Sequence, residues 1–301
     1  MVEFNYQIER IFKNMKKCVS SYSFGGYVDR LGILGVIDKA ADMGFGGIEF
    51  VEGGWTNGLD KNIARECRKK AEDRGLATVS YCVGADFLYG SGGNFDAEIN
   101  RIKAQVDFAA ELGVINMRHD VAYGMRPVDG KKAGLGYDNA LPRIAEGCRR
   151  VTEYAETVGV GTMTENHGYF SQDAVRVEKL INTVDHKNFG ALVDIGNFMC
   201  ADEDPAKSVS IMAPYAKHVH CKDFHYKSGS EPNPGRGWFP TRSQNWLRGS
   251  ILGHGVVPVS QCLRILKANG YDGWISIEFE GMEDNLLGIE LGLECLKRIQ
   301  L

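Results

Sequence analysis

The feature that most limits how this chain can fold is an eightfold alternation of two kinds of segment. Short runs rich in apolar and β-branched residues read as strands: CVSSYSF at 18–24, GGIEFV at 46–51, LATVSYCV at 76–83, VINMRHD at 114–120, VGTMTENH at 160–167, FGALVDIG at 189–196, KHVHCKD at 217–223 and WISIEFEG at 274–281. Between them lie stretches with apolar residues at helical spacing, such as NFDAEINRIKAQVDFAAELG and VPVSQCLRILKANG. Several start with Asp, Asn or Ser as caps, and many end in Gly, which takes the left-handed backbone that closes a helix. MGFGG, ELGVIN, TVGVGT and ANGYDG all have the form helix, Gly, short turn, strand. Strict alternation implies parallel strands joined by right-handed crossovers. Eight such units close a barrel, so the predicted fold is α/β: a single (β/α)8 TIM barrel domain over residues 1–301. An open doubly wound sheet is the alternative, but no GxGxxG follows the first strand and no P-loop occurs.

Length agrees, since 301 residues is close to the about 250 that one such barrel needs. A hydrophobic share of 44% supplies a large core and excludes disordered and collagen-like classes. The net charge is −4 with Lys and Arg dispersed, which leaves no electrostatic footprint for nucleic acid or an anionic membrane. A small-molecule partner is the expectation. The cysteines at 18, 67, 82, 148, 200, 221, 262 and 295 never form a CxxC pair and read as free thiols packed in a reducing compartment. MVEFNYQIERIF at the start lacks the basic-then-apolar pattern of a secretion signal, and no run approaches the about 20 apolar residues of a membrane span. The expected location is the cytoplasm.

One connection is out of proportion. After the seventh strand the chain runs through a Gly-, Pro- and Arg-rich stretch, residues 225–255, on the face where barrel enzymes carry their sites. It reads as a lid, a substrate wall or a subunit contact, with a passive surface loop as the plain alternative.

Barrel strands end at the catalytic face, and four consecutive ones end in polar groups: Glu165, Asp194, His220 and Glu278. Each lies among apolar residues, so all four point at one spot above the barrel axis. Three carboxylates brought together repel unless they are protonated or share a cation. An oxygen-rich set with one imidazole suits a single divalent ion, Mn2+ first and Mg2+ or Co2+ next, in an open site, better than closed tetrahedral zinc. Taken singly, each carboxylate can equally cap a helix or pair with a Lys or Arg.

The segments VGTMTENHG, FGALVDIGNF, KHVHCKD and GYDGWISIEFEG resemble the signatures of the xylose isomerase-like barrel superfamily, the sugar phosphate isomerase/epimerase group that includes ketose 3-epimerases and hydroxypyruvate isomerases. The likeness runs from GFGGIEF through LGHGVVP to the last strand. It implies that Glu165, Asp194, His220 and Glu278 are metal ligands and that Glu165 and Glu278 face opposite sides of a bound sugar. One glutamate then removes a proton next to a carbonyl, a metal-stabilised enediolate forms, and the other glutamate returns the proton. The function implied is a divalent-metal-dependent sugar or sugar phosphate isomerase/epimerase, with homo-oligomers expected.

Departures limit this expectation. The ketose epimerase pattern commonly has a His where this chain has Asn197, and a substrate-binding Arg where it has Tyr226. Endonuclease IV, a DNA-repair relative, needs further His and Asp ligands that are missing. A second class in the superfamily comprises lyases, including C-glycoside deglycosidases that act on 3-oxo-glucosides as the large subunit beside a small β subunit. The third alternative is a non-catalytic barrel.

Other groups supplement the core set. His167, two residues past Glu165, faces the same side and is a candidate catalytic or substrate-contacting group. Lys222, Glu49, Asp120 and Arg236 are candidate substrate contacts, with ion pairing or helix capping as the plain readings. His218, alternating with His220, reads as a core histidine, and His119 depends on strand register. Arg242, Arg248 and Trp238 on the long connection join Arg236 as candidate lid residues for a phosphate or an aromatic aglycone. His254 lies near the rim.

Overall fold

The computed structural model describes residues 15–127 and 136–299, so the amino-terminal segment read above lies outside the described residues. The strands are β1 (Lys16–Ser20), β2 (Gly47–Val51), β3 (Ala77–Val83), β4 (Asn116–His119), β5 (Gly161–Glu165), β6 (Phe189–Asp194), β7 (Ala216–Cys221), β8 (Asp223–Lys227), β9 (Phe239–Pro240), β10 (Trp246–Ser250) and β11 (Trp274–Ile277). β1 to β7 and β11 form a closed parallel barrel in which β11 returns to pair with β1. The helices are α1 (Tyr27–Asp42), α2 (Lys61–Asp73), α3 (Phe95–Leu112), α4 (Tyr137–Thr157), α5 (Ala174–Val184), α6 (Pro205–Met212), α7 (Val259–Ala268) and α8 (Asn285–Arg298). This is the TIM barrel that the alternation predicts.

Local chemistry sets the helix ends. The side chains of Asp60, Asn94, Asp204 and Asp284 accept backbone N–H groups in the first turns of α2, α3, α6 and α8. Gly113, at φ 71°, closes α3 in the left-handed conformation. Within α1, Gly32 at φ 68° breaks the regular backbone, so the first turn is set off from the rest of the helix.

The barrel is lined by alternate residues, as the two-residue strand period requires. Cys82, Met163 and Leu192 point inward and pack on one another inside it, while Val193, Val219 and Ile277 point outward into the large cluster shared with the helices. Two residues beyond Met163 and Leu192, the same inward direction carries Glu165 and Asp194 to the mouth. Local register therefore decides what faces the site.

The stretch at 225–255 contains strands of its own. β8, β10 and β9 pair antiparallel as a small sheet of their own. β10 touches the chain after β11 through a bridge between Gly249 and Gly281, and a side chain at 249 would collide with the backbone of Glu280. Asp223 anchors the base: its buried carboxylate accepts backbone N–H groups of Phe224, Gly253, Gly255 and Val257 at 2.8–3.0 Å. The seven cysteines other than Cys295 are buried, and all eight are free thiols. Among the described residues no helix is long and apolar enough to cross a membrane.

Candidate metal centre

Glu165 and Asp194 are the last residues of β5 and β6, His220 is the penultimate residue of β7, and Glu278 follows β11 directly. Pairing of Asp194 with His220 and of His220 with Ser276 aligns these strand ends. His220 Nδ1 lies 3.2 Å from Glu278 Oε2 and 3.8 Å from both Glu165 Oε1 and Asp194 Oδ2. One atom from each of the four residues lies within 4.8 Å of all the others. An octahedral ion with bonds of about 2.1 Å needs neighbouring donors about 3 Å apart and opposing ones about 4.2 Å apart. The donor set matches that spacing with slight expansion.

The fit to a cation rests on atoms left over. His220 Nδ1, Asp194 Oδ2 and Glu278 Oε2 are buried and none makes a hydrogen bond. The ammonium of Lys222 reaches two of them only as ion-pair contacts, at 2.7 Å to Glu278 and 3.4 Å to Asp194. The opposite sides of the same groups are satisfied. Asp194 Oδ1 accepts from the backbone of Gly196 and Asn197, and His220 Nε2 meets Glu49 Oε1 at 2.7 Å. With Nε2 donating to Glu49, the lone pair of a neutral His220 sits on Nδ1 and faces the cluster. Glu165 Oε1 accepts from Asn197 Nδ2 at 2.9 Å, and its Oε2 lies 2.8 Å from Arg118.

Protonation follows the crowding. Burial pushes the carboxyl of Asp194 up to about 7, with Glu278 and Glu165 adding to the push and Lys222 opposing it. Burial also raises Glu278, but Lys222 and His220 outweigh it and hold that carboxyl well below the usual range. His220 is pulled down by burial and then driven well above its ordinary value by Glu49 and Glu278. The proton held there occupies the position a cation would take, so metal binding and proton release are coupled.

Expected substrate contacts divide. Lys222 lines the small cavity of about 180 Å3 over the cluster, together with Arg118, Glu165, His167, His220 and Glu278. His167 also faces an adjoining cavity of about 350 Å3, beside Gly237 and Phe239 of the 225–255 insertion, which makes that insertion a wall of the cavity. Its Nδ1 is 3.0 Å from Asp120 Oδ1, and the carboxylate outweighs the burial that opposes it, raising the imidazole's pKa. Asp120 is buried behind the wall, held by Arg118 at 2.7 Å and by the Tyr123 hydroxyl. Glu49 is fully buried beneath the cluster, its Oε1 2.7 Å from His220 Nε2 and its Oε2 2.9 Å from His218 Nε2. Arg236 projects from the exposed tip between β8 and β9 and lines no cavity described here. Arg242 is tied to Asp173 and to the carbonyl of Tyr169, Arg248 lies over the Trp238 ring, and His254 is exposed. His119 is sealed between Phe87 and Phe189.

Four further residues take part in the site. Arg118 bridges Glu165 and Asp120 from β4, where Asn116 and His119 are polar too, so its charge does not stand out in the sequence. Asn197, where the epimerase pattern has His, orients Glu165 through Nδ2, accepts from Lys222 at 3.2 Å and donates its backbone N–H to Asp194. Tyr22 and Glu280 border both of these cavities at the mouth.

This geometry has a family. Residues 37–299 match the model of the xylose isomerase-like TIM barrel. The chain belongs to that family. Among curated proteins it is similar to inosose dehydratase of Lacticaseibacillus casei, 26% identical over 144 residues, which is 48% of each chain. It thus spans about half the length of the curated relatives it matches. Among solved structures it superposes on D-allulose 3-epimerase from Methylomonas sp. with a TM-score of 0.70 at 17% identity, covering 96% of this chain and 99% of that one. A xylose isomerase-like barrel protein from Mycobacterium smegmatis in complex with magnesium gives 0.68 at 16% identity, covering 95% and 96%. At these identities the structural likeness speaks to the fold alone.

Proposed function

We propose that this protein is a divalent-metal-dependent isomerase or epimerase that removes the proton next to the carbonyl of a sugar-like hydroxyketone. The observation that carries the reading is the set of buried, unsatisfied donor atoms on His220, Asp194 and Glu278 converging with Glu165 under a cavity open to solvent. A divalent cation held by these four residues, Mn2+ by preference, supplies Lewis acidity that polarises the carbonyl and acidifies the adjacent C–H.

The protein's own groups do the rest. Glu165 and Glu278 are the proton carriers, each with one oxygen steadied by a cation, Arg118 for Glu165 and Lys222 for Glu278. Lys222 also brings positive charge to where the enediolate oxygen develops. Asp120 fixes His167 with Nδ1 as donor, which leaves Nε2 free to exchange a proton with a substrate hydroxyl.

A second reading, a lyase that expels water or another leaving group from the same enolate, is favoured by the similarity to inosose dehydratase and by the His167–Asp120 pair at the cavity wall, a placed acid for a departing group. Elimination from a 3-oxo-glucoside belongs to the same reading. Incubating Mn2+-loaded protein in D2O with D-fructose and, separately, with scyllo-inosose separates the two. Deuterium on carbon in a sugar of unchanged composition supports the isomerase, and loss of water from the inosose supports the lyase. Neither product from metal-replete protein would sink both.

A further inference from the structure

A cavity larger than the one over the four-residue cluster lies beside it. A groove of about 590 Å3 runs between α1 and the chain after β2, and it joins the small cavity at Tyr22, Val51 and Glu280. The small cavity, at about 180 Å3, has room for the reacting atoms and little more, whereas the groove falls within the range of about 300–1,000 Å3 that houses a whole ligand. A molecule reacting over the cluster thus has a wide space beside it for the remainder of its structure.

The chemistry of the groove is selective. Its apolar surface comes from Val28, Ile33, Trp55 and Phe279. Trp55 is a fixed platform: its indole N–H donates to the carbonyl of Val51 at 3.0 Å, and its ring packs on Phe50, Tyr81 and Phe108. The polar surface includes three carboxylates, Asp29, Glu52 and Glu280, and Glu52 is held in place by the N–H of Gly84 at 2.6 Å and by Gln105 at 3.3 Å. Among the described residues no Lys, Arg or His lines the groove. The nearby cations are engaged, Arg30 over the Tyr27 ring and Lys222 against Glu278 at 2.7 Å and Glu280 at 3.5 Å. Ionised carboxylates only accept hydrogen bonds, so this surface takes hydroxyl donors and rejects anions. A pyranose ring offers hydroxyl donors at its edge and C–H groups on its face for an aromatic platform.

We infer that this groove is a subsite for an uncharged glycosyl unit, and that the substrate is an unphosphorylated hydroxyketone sugar carrying a further sugar residue. The inference rests on the enolising function proposed above and fixes the substrate class for it. It also assigns a role to Asp29 at the groove rim and to the broken first turn of α1, where Gly32 at φ 68° sets Val28 and Asp29 apart from the rest of the helix.

Three probes with one ketose head and different groups on the same oxygen test it: 6-O-methyl-D-fructose, D-fructose 6-phosphate and isomaltulose, which bears a glucosyl unit there. Binding to the Mn2+-loaded protein is measured by calorimetry, and carbon-bound deuterium uptake in D2O is followed in parallel. Isomaltulose is expected to bind about tenfold tighter than the methyl ether and the phosphate about tenfold weaker. Asp29→Lys should raise the phosphate-to-methyl affinity ratio about tenfold, and Val28→Trp, which fills the groove, should bring the isomaltulose-to-methyl ratio to about one. A phosphate that binds better than the methyl ether, or an isomaltulose preference insensitive to Val28→Trp, overturns the subsite. Binding with the expected ratios but no deuterium uptake from any probe overturns the enolising function and leaves the subsite standing. No binding of any probe overturns both.

Discussion

Glu49 and His220, separated by 171 residues, meet at 2.7 Å beneath the mouth of the barrel, and this contact decides which imidazole nitrogen faces the cluster. Glu49 is fully buried and its other oxygen lies 2.9 Å from His218, so it acts through His220 and touches nothing in the cavity. With Nε2 donating to Glu49, Nδ1 presents its lone pair to the position shared with Asp194 and Glu278. Carboxylates placed behind a ligating histidine raise its basicity and fix its ring, and their loss typically lowers metal affinity about 10–100-fold. Glu49→Gln should therefore weaken Mn2+ binding by that factor in a titration against a chelator while the far-ultraviolet circular dichroism stays that of the barrel. Unchanged affinity would remove the role assigned to this residue.

Much of this arrangement is readable from the chain because the strand period is two and the barrel face is fixed. Once β5 to β7 and β11 are located, Glu165, Asp194, His220 and Glu278 follow as neighbours. Glu49 lay in the same pattern, a carboxylate inside GGIEFV, but sequence alone does not tell whether an inward side chain ends in the open cavity or one layer below it. That depends on shear between staves, and here it places Glu49 opposite His218 and His220. Asn197 and Arg118 were illegible for another reason. Their importance lies in what they hold, Glu165 in both cases, and pairing across about thirty to fifty residues leaves no local trace. The small antiparallel sheet was hidden by its own composition, since Gly- and Pro-rich turns outnumber its strand residues.

The two proton carriers make the most direct test of the chemistry. Glu165→Gln or Glu278→Gln keeps the shape of each side chain but removes the group that exchanges a proton, and general acid–base groups contribute about 10²–10⁴-fold. Each variant should lose at least that much turnover in the deuterium exchange assay and also bind Mn2+ more weakly. His167→Ala should instead lower turnover with metal content unchanged, because its ring is held by Asp120 and not by the cluster. If His167→Ala retains wild-type rates on whichever substrate is turned over, the ring has no part in proton transfer.

A pH dependence arises away from the cluster, at His119. Its ring is buried between Phe87 and Phe189 and its Nδ1–H donates to the carbonyl of Asp120 at 2.8 Å. Burial, which the Asp120 contacts only partly offset, lowers its pKa to about 4. Between pH 6.5 and 4 the unfolded chain binds a proton here that the folded protein refuses. The stabilisation is thus complete above pH 6.5 and is lost as pH falls through about 4, with a full swing of about 3 kcal/mol. His119→Phe cannot take up that proton in either state. Denaturant unfolding with a chelator present should show the stability gap between wild type and His119→Phe shifting in favour of the variant by about that amount from pH 7 to pH 4. A gap independent of pH would mean that the buried imidazole is not the titrating group.

Asp223 fixes how the small sheet sits against the barrel. Four backbone N–H groups, from Phe224, Gly253, Gly255 and Val257, converge on its buried carboxylate, and three of them belong to the segment that leads into α7. Burial raises its pKa while those four donors pull it back, so the charge is held mainly by the backbone and not by Lys222, whose ammonium turns to Glu278. Asp223→Ala leaves these donors without an acceptor in a place water reaches poorly, and each buried donor left unmade costs about 1–3 kcal/mol. Some relax, so a net loss of about 3–5 kcal/mol is expected in denaturant unfolding. Asp223→Asn, which keeps one carbonyl oxygen, should lose about half as much. If Asp223→Ala unfolds at the wild-type midpoint, the 253–257 segment is held by its own turns, and the sheet's position against the cavity has to be explained by the Gly249–Gly281 contact alone.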